Sequence, residues 1–258
     1  MTGFDRKLDE LRANLTLGNL FSILCSYGDT VAAEYQTDGK IEKLTYADYK
    51  RISVAGAANL SKILKDIERG TFVALRLAND PLWPAVFWSI ILAGYRPLLV
   101  DATCEDKQIM HILKQAGSAA IVSDTLVSDD GVTCVSPHDY LRIDMPAADF
   151  SPVFGDAIGL CTSGTTTSPK VYVYSEKAIC EQVLLAEDIC KHNKEILHDG
   201  EIKQLAFLPF HHIFGLVAVY LWYAFFGKTM VFIKARTGKV IMSACKQHKV
   251  THIYAVPL

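Results

Sequence analysis

The sequence predicts an α/β protein with a mostly parallel sheet, or sheets, flanked by helices. Short apolar stretches alternate with helical patterns of ten or more residues, which is the order that crossover connections between parallel strands produce. Half of the 258 residues are hydrophobic, so the chain can bury a substantial core. The helical pattern at 105–117 ends in Gly117, a residue type that commonly terminates helices.

The first half of the chain shows this alternation clearly. An amphipathic helix is predicted over 45–68, because apolar residues recur there at helical spacing and the pattern ends before Gly70. The elements expected after it are a strand at 71–77, a helix at 82–94, and then a strand at 96–100, a helix at 105–117 and a strand at 119–124.

A polar, turn-rich passage at 128–156 interrupts the alternation and is the candidate for a seam between subdomains. The alternation then resumes. The strands expected here are 157–163, its hairpin partner 170–175, and 203–209, 228–233 and 251–256; the expected helices are 176–192, 213–226 and 237–248. The last predicted strand ends two residues before the sequence does, so we expect the sequence to be cut from a longer protein.

Composition and charge exclude several classes of protein. The formal net charge is −2 and no run of five like charges occurs, so a nucleic acid or an anionic membrane is not expected as the main partner. The seven cysteines are scattered and never spaced as CxxC, which argues against both a disulfide framework and a thiolate zinc site. The charged N-terminus lacks the apolar run of a signal peptide. We therefore expect a cytoplasmic protein.

Two apolar stretches, 82–95 and 213–226, are candidates for membrane spans. Each is shorter than the roughly 20 residues that cross a bilayer, so both are interpreted as buried helices and no membrane insertion is expected. A membrane-associated protein remains the alternative, and it would require residues 206–226 to face lipid.

The stretch TSGTTTSPK, residues 162–170, concentrates hydroxyl side chains around Gly164 and ends in proline and lysine. A strand that leads into such a loop can offer several N–H and O–H groups to one phosphate. It is not a Walker A loop, which requires GxxxxGK[ST] opening a helix. From local chemistry alone, a solvated turn and an anion-binding loop both remain open.

Several motifs together resemble the adenylate-forming enzymes, which include acyl-CoA and aryl-CoA synthetases, luciferases and peptide-synthetase adenylation domains. TSGTTTSPK resembles the phosphate-binding signature [ST]SG[ST]TGxPKG of this family. The other matching stretches, in the family's order, are LTYADYKRISVAGAANL, GTFVALRLANDPLWPAVFWSIILAGYRPLLVD, LPFHHIFGL and VTHIYAVPL. The resemblance covers roughly residues 19–258 and implies the first part of the large N-terminal domain of acyl-CoA synthetases.

The resemblance implies roles for individual residues. Lys170 would neutralise the triphosphate, and His212 would lie at the entrance of the carboxylate pocket, close to Gly215, where the helix packs closely against its neighbour. His211 and His212 could instead cap the start of the helix that follows them. The residues that would cradle the β- and γ-phosphates of ATP are Thr162, Ser163, Gly164, Thr165, Thr166 and Thr167.

Three positions depart from the family pattern. Thr167 and Val171 replace glycines, and a β-branched residue tolerates positive φ poorly, so either the loop follows another path or ATP binding is weakened. In the family, a histidine often lies at or near the position that follows the second strand of the hairpin. This chain has Glu176 at that position.

The implied activity is an AMP-forming carboxylate:CoA ligase of fatty-acid metabolism, which uses ATP and Mg²⁺ and acts on a fatty or other apolar acid. An acid:carrier-protein ligase, a peptide-synthetase adenylation domain, or a non-catalytic nucleotide- or acyl-binding module are the alternatives. The family's YGxTE and TGD motifs do not occur in this sequence. We therefore expect a partial N-terminal domain that has no catalytic residue or metal ligand of its own, and is inactive by itself, with coenzyme A or an acyl carrier protein as the parent's acceptor.

Overall fold

The computed structural model describes residues 3–125, 131–141, 150–162, 169–193, 195–197 and 200–256. The chain divides into two compact units. Unit 1 comprises Met1–Ala47, Asn79–Pro81 and Lys177–Leu258, and unit 2 comprises Asp48–Ala78 and Leu82–Glu176. The described parts of the turn-rich passage 128–156 belong to unit 2.

The helices in the described residues are, in chain order, α1 (Gly3–Ala13), α2 (Leu17–Cys25), α3 (Tyr46–Ile63), α4 (Trp83–Leu92), α5 (Asp106–Ala116), α6 (Pro137–Tyr140), α7 (Glu176–Leu184), α8 (Ala186–His192), a π-helix (Gly215–Leu221), α9 (Trp222–Phe225) and α10 (Gly238–His248). The strands are β1 (Val31–Thr37), β2 (Lys40–Thr45), β3 (Phe72–Arg76), β4 (Arg96–Val100), β5 (Ala120–Ser123), β6 (Thr133–Val135), β7 (Ala157–Thr162), β8 (Lys170–Ser175), β9 (Lys203–Leu205) and β10 (Thr229–Val231).

Unit 2 is built on a six-stranded sheet in the order β6-β5-β3-β4-β7-β8. All neighbouring pairs are parallel except β7 and β8, which form an antiparallel hairpin at one edge. Helix α5 packs its apolar face onto the sheet through Ile109, Ile112 and Leu113, against side chains of β3, β4 and β5. Every residue of α4 is buried, which explains why its sequence is apolar on all sides.

Unit 1 contains a four-stranded sheet in the order β2-β1-β10-β9. Strands β1 and β2 are antiparallel, whereas β1–β10 and β10–β9 are parallel. A charged cluster lies inside this unit: Lys203 Nζ is 2.9 Å from Glu34 Oε1, and His248 Nδ1 is 3.1 Å from Glu34 Oε2. All three residues are buried.

The α/β class and the mostly parallel sheets are confirmed, and several element boundaries are corrected. The predicted strand at 251–256 is wrong: the segment forms an isolated bridge, between Gln204 and His252, and the Lys203 N–H donates to the Thr251 hydroxyl instead of to a backbone carbonyl. The strand predicted at 203–209 ends at Leu205, and beyond it the Ala206 and Leu208 carbonyls accept hydrogen bonds from the Asn79 side chain. The helix predicted at 176–192 is divided into α7 and α8, and the one at 213–226 is largely a π-helix. No helix within the described ranges combines the length and apolarity that crossing a bilayer requires.

Candidate functional site

The hairpin of β7 and β8 presents the hydroxyl-rich loop predicted to bind phosphate. Its register is continuous from Ala157 opposite Ser175 to Thr162 opposite Lys170. The backbones of the first and last residues of TSGTTTSPK are therefore paired across adjacent strands. The predicted cradle residues between them, Ser163, Gly164, Thr165, Thr166 and Thr167, lie outside the described residues.

Lys170 begins the edge strand β8, and its side chain is exposed. Its neighbour Val171 is half-buried and packs against the apolar cluster between the sheet and α5. The φ angle of Val171 is not positive, since Asp38 and Lys249 are the non-glycine residues with positive φ in the described chain. The backbone at Val171 therefore does not require the glycine that the family pattern has there.

Cys161 faces the same apolar cluster, directly opposite Val171 in the hairpin register. Burial raises the pKa of the Cys161 thiol to about 12, and the nearby Cys104 contributes in the same direction. Cys161 therefore packs at the base of the hairpin loop, in apolar surroundings that disfavour its thiolate form.

His212 and Gly215 lie at the start of the π-helix in unit 1. The His212 N–H donates to the Pro209 carbonyl at 3.2 Å, and the His212 carbonyl accepts from the Leu216 N–H at 2.8 Å. The His212 side chain is exposed, and its ring centroid is 4.2 Å from that of His211. The structure thus places His211 and His212 at a helix start, with the His212 ring open to solvent. This position is compatible both with a role at the entrance of the carboxylate pocket and with capping of the helix start.

Gly215 is held against the loop that precedes it. A Cβ atom at this position would lie 2.0 Å from the Pro209 carbonyl oxygen and 2.7 Å from the Pro209 carbonyl carbon. No side chain fits in that space, because the obstacle is backbone. Gly215 therefore allows the loop carrying His211 and His212 to fold back onto the first turn of the helix, which is a closer contact than the helix packing predicted for it.

Asn79 is a site residue that the sequence did not reveal. Its Nδ2 donates to the carbonyls of Ala206 (3.0 Å) and Leu208 (2.7 Å), and its Oδ1 accepts from the Phe210 N–H at 3.0 Å. These backbone groups belong to the irregular segment between β9 and His212, where no strand or helix satisfies them. Asn79 thus holds the segment that positions His212. An asparagine three residues after the end of β3 is a weak signal, and its partners lie more than 120 residues further along the chain.

The predicted residues divide between the two units. Thr162 and Lys170 belong to unit 2, whereas His212 and Gly215 belong to unit 1, together with Asn79, which the sequence did not predict. In the part of the chain that the structure describes, no group of three His, Cys, Asp or Glu side chains could hold a metal ion.

The match to a known family rests on most of the chain. A model of the family "AMP-binding enzyme" matches residues 25–258. The chain therefore belongs to the AMP-binding enzyme family.

Two curated proteins show the range of relatives. The chain is 25% identical over 241 residues to 4-coumarate–CoA ligase 1 of Oryza sativa subsp. japonica, covering 83% of this chain and 42% of the ligase. It is 28% identical over 196 residues to HC-toxin synthetase of Cochliobolus carbonum, covering 71% of this chain and 4% of the synthetase. The chain thus spans less than half the length of either relative.

Solved structures show the same fold at lower identity. The o-succinylbenzoate CoA synthetase MenE of Bacillus subtilis, in complex with the acyl-adenylate intermediate OSB-AMP, matches with a TM-score of 0.75 and 19% identity, over 92% of this chain and 60% of MenE. The N-terminal subdomain of NpsA from Klebsiella oxytoca, in complex with 3-hydroxybenzoyl-AMSN, matches with a TM-score of 0.74 and 16% identity, over 92% of this chain and 59% of NpsA. These similarities establish the fold.

Proposed function

We propose that this chain forms the first part of the N-terminal domain of an ATP-dependent acid–thiol ligase. The parent enzyme would activate a fatty or other apolar carboxylic acid as its acyl-adenylate, in the cytoplasm and within fatty-acid metabolism. Coenzyme A or an acyl carrier protein would then accept the acyl group. Residues 1–258 would bind parts of ATP and of the acid, and the catalytic residues would come from the rest of the parent.

The observation that carries this proposal is the β7–β8 hairpin. Its register pairs Thr162 with Lys170, so the seven residues 163–169 connect two paired strands. A short turn rich in Ser and Thr supplies N–H and O–H donors to an anion, and the exposed Lys170 adds a positive charge beside it. Bound Mg²⁺ would supply further charge neutralisation. This chain contributes the donors of the loop and the Lys170 ammonium group.

An apolar acid is favoured by the surface beside His212. Ile213 is 38% exposed and Phe214 is 49% exposed, although both begin a helix whose next residues are buried. The Phe214 ring centroid lies 6.0 Å from that of Tyr254, so two aromatic rings border this surface. Exposed apolar side chains next to a candidate pocket residue suit the hydrocarbon part of a substrate.

Two alternatives have support of their own. The similarity to HC-toxin synthetase favours an adenylation domain that passes its acyl group to a carrier. Thr167, in place of the family's glycine, favours a binding module that no longer performs adenylation. The reaction of the parent distinguishes these cases, because both kinds of ligase form an acyl-adenylate and a binding module does not.

The experiment that tests the proposal is pyrophosphate exchange by the full-length parent with carboxylic acids of different chain lengths. We expect exchange with at least one apolar acid, and none with the 258-residue chain by itself. Replacing Lys170 with alanine should raise the KM for ATP about tenfold, because a charge-assisted contact to phosphate is lost. Lys177→Ala, which removes another exposed lysine seven residues away, is the control and should leave KM unchanged. Absence of exchange with every acid, or an equal effect of both substitutions, would contradict the proposal.

Thr167 decides between the two interpretations of the loop. If the loop is a weakened form of the family's, Thr167→Gly in the parent should tighten ATP binding, because glycine tolerates positive φ. Unchanged or weaker ATP binding in a calorimetric titration would show that the backbone follows a different path.

A further inference from the structure

Positive charge is concentrated at one end of the sequence. Residues 202–258 include seven Lys and Arg residues and no Asp or Glu, although the whole chain has a formal net charge of −2. Five of the seven lie on helix α10 or directly beside it. A charge asymmetry of this size indicates an interaction with a charged partner.

We name the basic face as the exposed side chains Lys234, Arg236, Lys239, Met242, Lys246 and Lys249. Lys239, Met242 and Lys246 are spaced at i, i+3 and i+7, so they lie on one side of α10. The opposite side packs inward through Ala244 and His248. Met242 is 70% exposed, more than any other large hydrophobic side chain in the described residues.

The cations of the basic face are not neutralised within the described chain. Neither the ion pairs nor the side-chain hydrogen bonds found there include Lys234, Arg236, Lys239, Lys246 or Lys249. Three of them also lie at the N-terminal end of α10, where the helix dipole disfavours positive charge and no acidic residue occupies the first turn. The cations at the N-terminal end therefore cost stability, whereas Lys246 in the last turn is favoured by the dipole, and a negatively charged partner would offset the cost at the N-terminal end.

The spacing of the charges indicates the chemistry of the partner. Lys239 and Lys246 are about 10 Å apart along the helix axis, and the remaining cations precede the helix (Lys234 and Arg236) or directly follow it (Lys249) in the chain. Two lysines at this spacing on one helix do not converge on one point, as they would around a single phosphate. The basic face exposes one apolar side chain and no aromatic ring, whereas membrane-surface helices and nucleic-acid surfaces use several. Carboxylates spread along a helix would match the row, with Met242 contacting an apolar residue between them.

We propose that the basic face docks an acidic helical surface of a partner protein. This inference is independent of the proposed function, because the basic face contains none of the residues predicted to bind ATP or the acid and its test requires no turnover.

The test measures binding of the 258-residue chain to a fluorescent synthetic peptide by anisotropy. The probe is a helix of about 20 residues with glutamates on one face and a central leucine. At low salt, about 50 mM NaCl, the double substitution Lys239→Glu and Lys246→Glu should weaken binding about tenfold or more. Met242→Gln should weaken it about threefold, because an apolar contact is lost.

The matched control is Lys107→Glu with Lys114→Glu. These exposed lysines have the same i, i+7 spacing on α5, so the change in net charge and its spacing along a helix are identical. We expect this pair to change binding less than about twofold. An equal loss in both pairs would mean general charge attraction and would overturn the proposal, as would unchanged binding in the α10 pair. Tighter, Lys239- and Lys246-dependent binding to phosphatidylserine vesicles or to duplex RNA than to the peptide would also overturn it. The neutral pair Lys239→Gln and Lys246→Gln, with thermal unfolding of each variant, separates loss of binding from loss of folding.

Discussion

Replacing Asn79 with alanine should release the segment that carries His212. Asn79 makes three hydrogen bonds to this segment, two from Nδ2 and one to Oδ1. Each hydrogen bond contributes about 1 kcal/mol net. Since the site is only partly buried, water replaces some of the lost partners, and we expect a local destabilisation of about 2 kcal/mol.

The Phe210 amide reports this change directly, because its N–H donates to Asn79 Oδ1. A loss of about 2 kcal/mol corresponds to roughly a 30-fold faster hydrogen exchange at this amide if it exchanges by local opening. Asn79→Asp should be at least as damaging at neutral pH, because a carboxylate oxygen would replace the amide donor and face the Ala206 and Leu208 carbonyls.

Asn59→Ala is the control for this experiment. Asn59 also uses its side-chain amide to donate to a backbone carbonyl, that of Tyr140, at 3.1 Å, but it lies in unit 2. We expect this substitution to leave the Phe210 exchange rate unchanged. If Asn79→Ala left the Phe210 exchange rate at the wild-type value, the reasoning that Asn79 holds this segment would be refuted.

Two further predictions concern unit 1. Gly215→Ala should destabilise the chain by about 3 kcal/mol in urea unfolding, because the added Cβ meets backbone atoms. The control is Gly238→Ala, which should be neutral or slightly stabilising because nothing lies within 4 Å of its added Cβ. Equal effects of the two substitutions would contradict the close contact at Gly215. Burial raises the pKa of Glu34, but hydrogen bonds from Lys203 and His248 outweigh it and hold that pKa below its ordinary value. The stability that Glu34 contributes is therefore present above its unfolded-state pKa and is lost as the pH falls through the folded-state pKa. Glu34→Gln should cost about 3 kcal/mol at pH 7 and should flatten the acid side of the curve of unfolding free energy against pH. A variant curve that runs parallel to the wild-type curve would contradict this linkage.

The sequence predicts the larger fold elements well where local patterns are strong. The strands at 96–100 and 170–175 and the helix at 105–117 are found within one residue of their predicted ends, because apolar periodicity and a terminal glycine determine them locally. Gly117 adopts φ 64°, the left-handed conformation expected at a helix end.

A local signal was overlooked in the N-terminal region. Strands β1 and β2 are joined by Asp38 and Gly39, whose φ angles are 49° and 78°. Asp-Gly between two alternating stretches is a strong hairpin signal, because a type I′ turn requires positive φ at both central residues. The hairpin was therefore predictable from the sequence.

Other features were beyond sequence reasoning because they depend on residues far apart in the chain. Glu34, Lys203 and His248 form one buried cluster, yet the first and last are 214 residues apart. Nothing in the local sequence around Glu34 distinguishes it from a solvent-facing residue of an edge strand. Asn79 is similar, since its partners are defined only once the segment after β9 folds back.

The predicted ATP loop shows how structure changes the weight of a sequence departure. Thr167 and Val171 both replace family glycines, and by sequence they count equally against phosphate binding. In the structure Val171 belongs to β8, lacks positive φ and packs its side chain against Cys161's apolar cluster, so valine contributes to the base of the loop there. That leaves Thr167 as the departure that bears on ATP binding, and a parent enzyme with glycine at this single position is sufficient to test whether the loop is weakened.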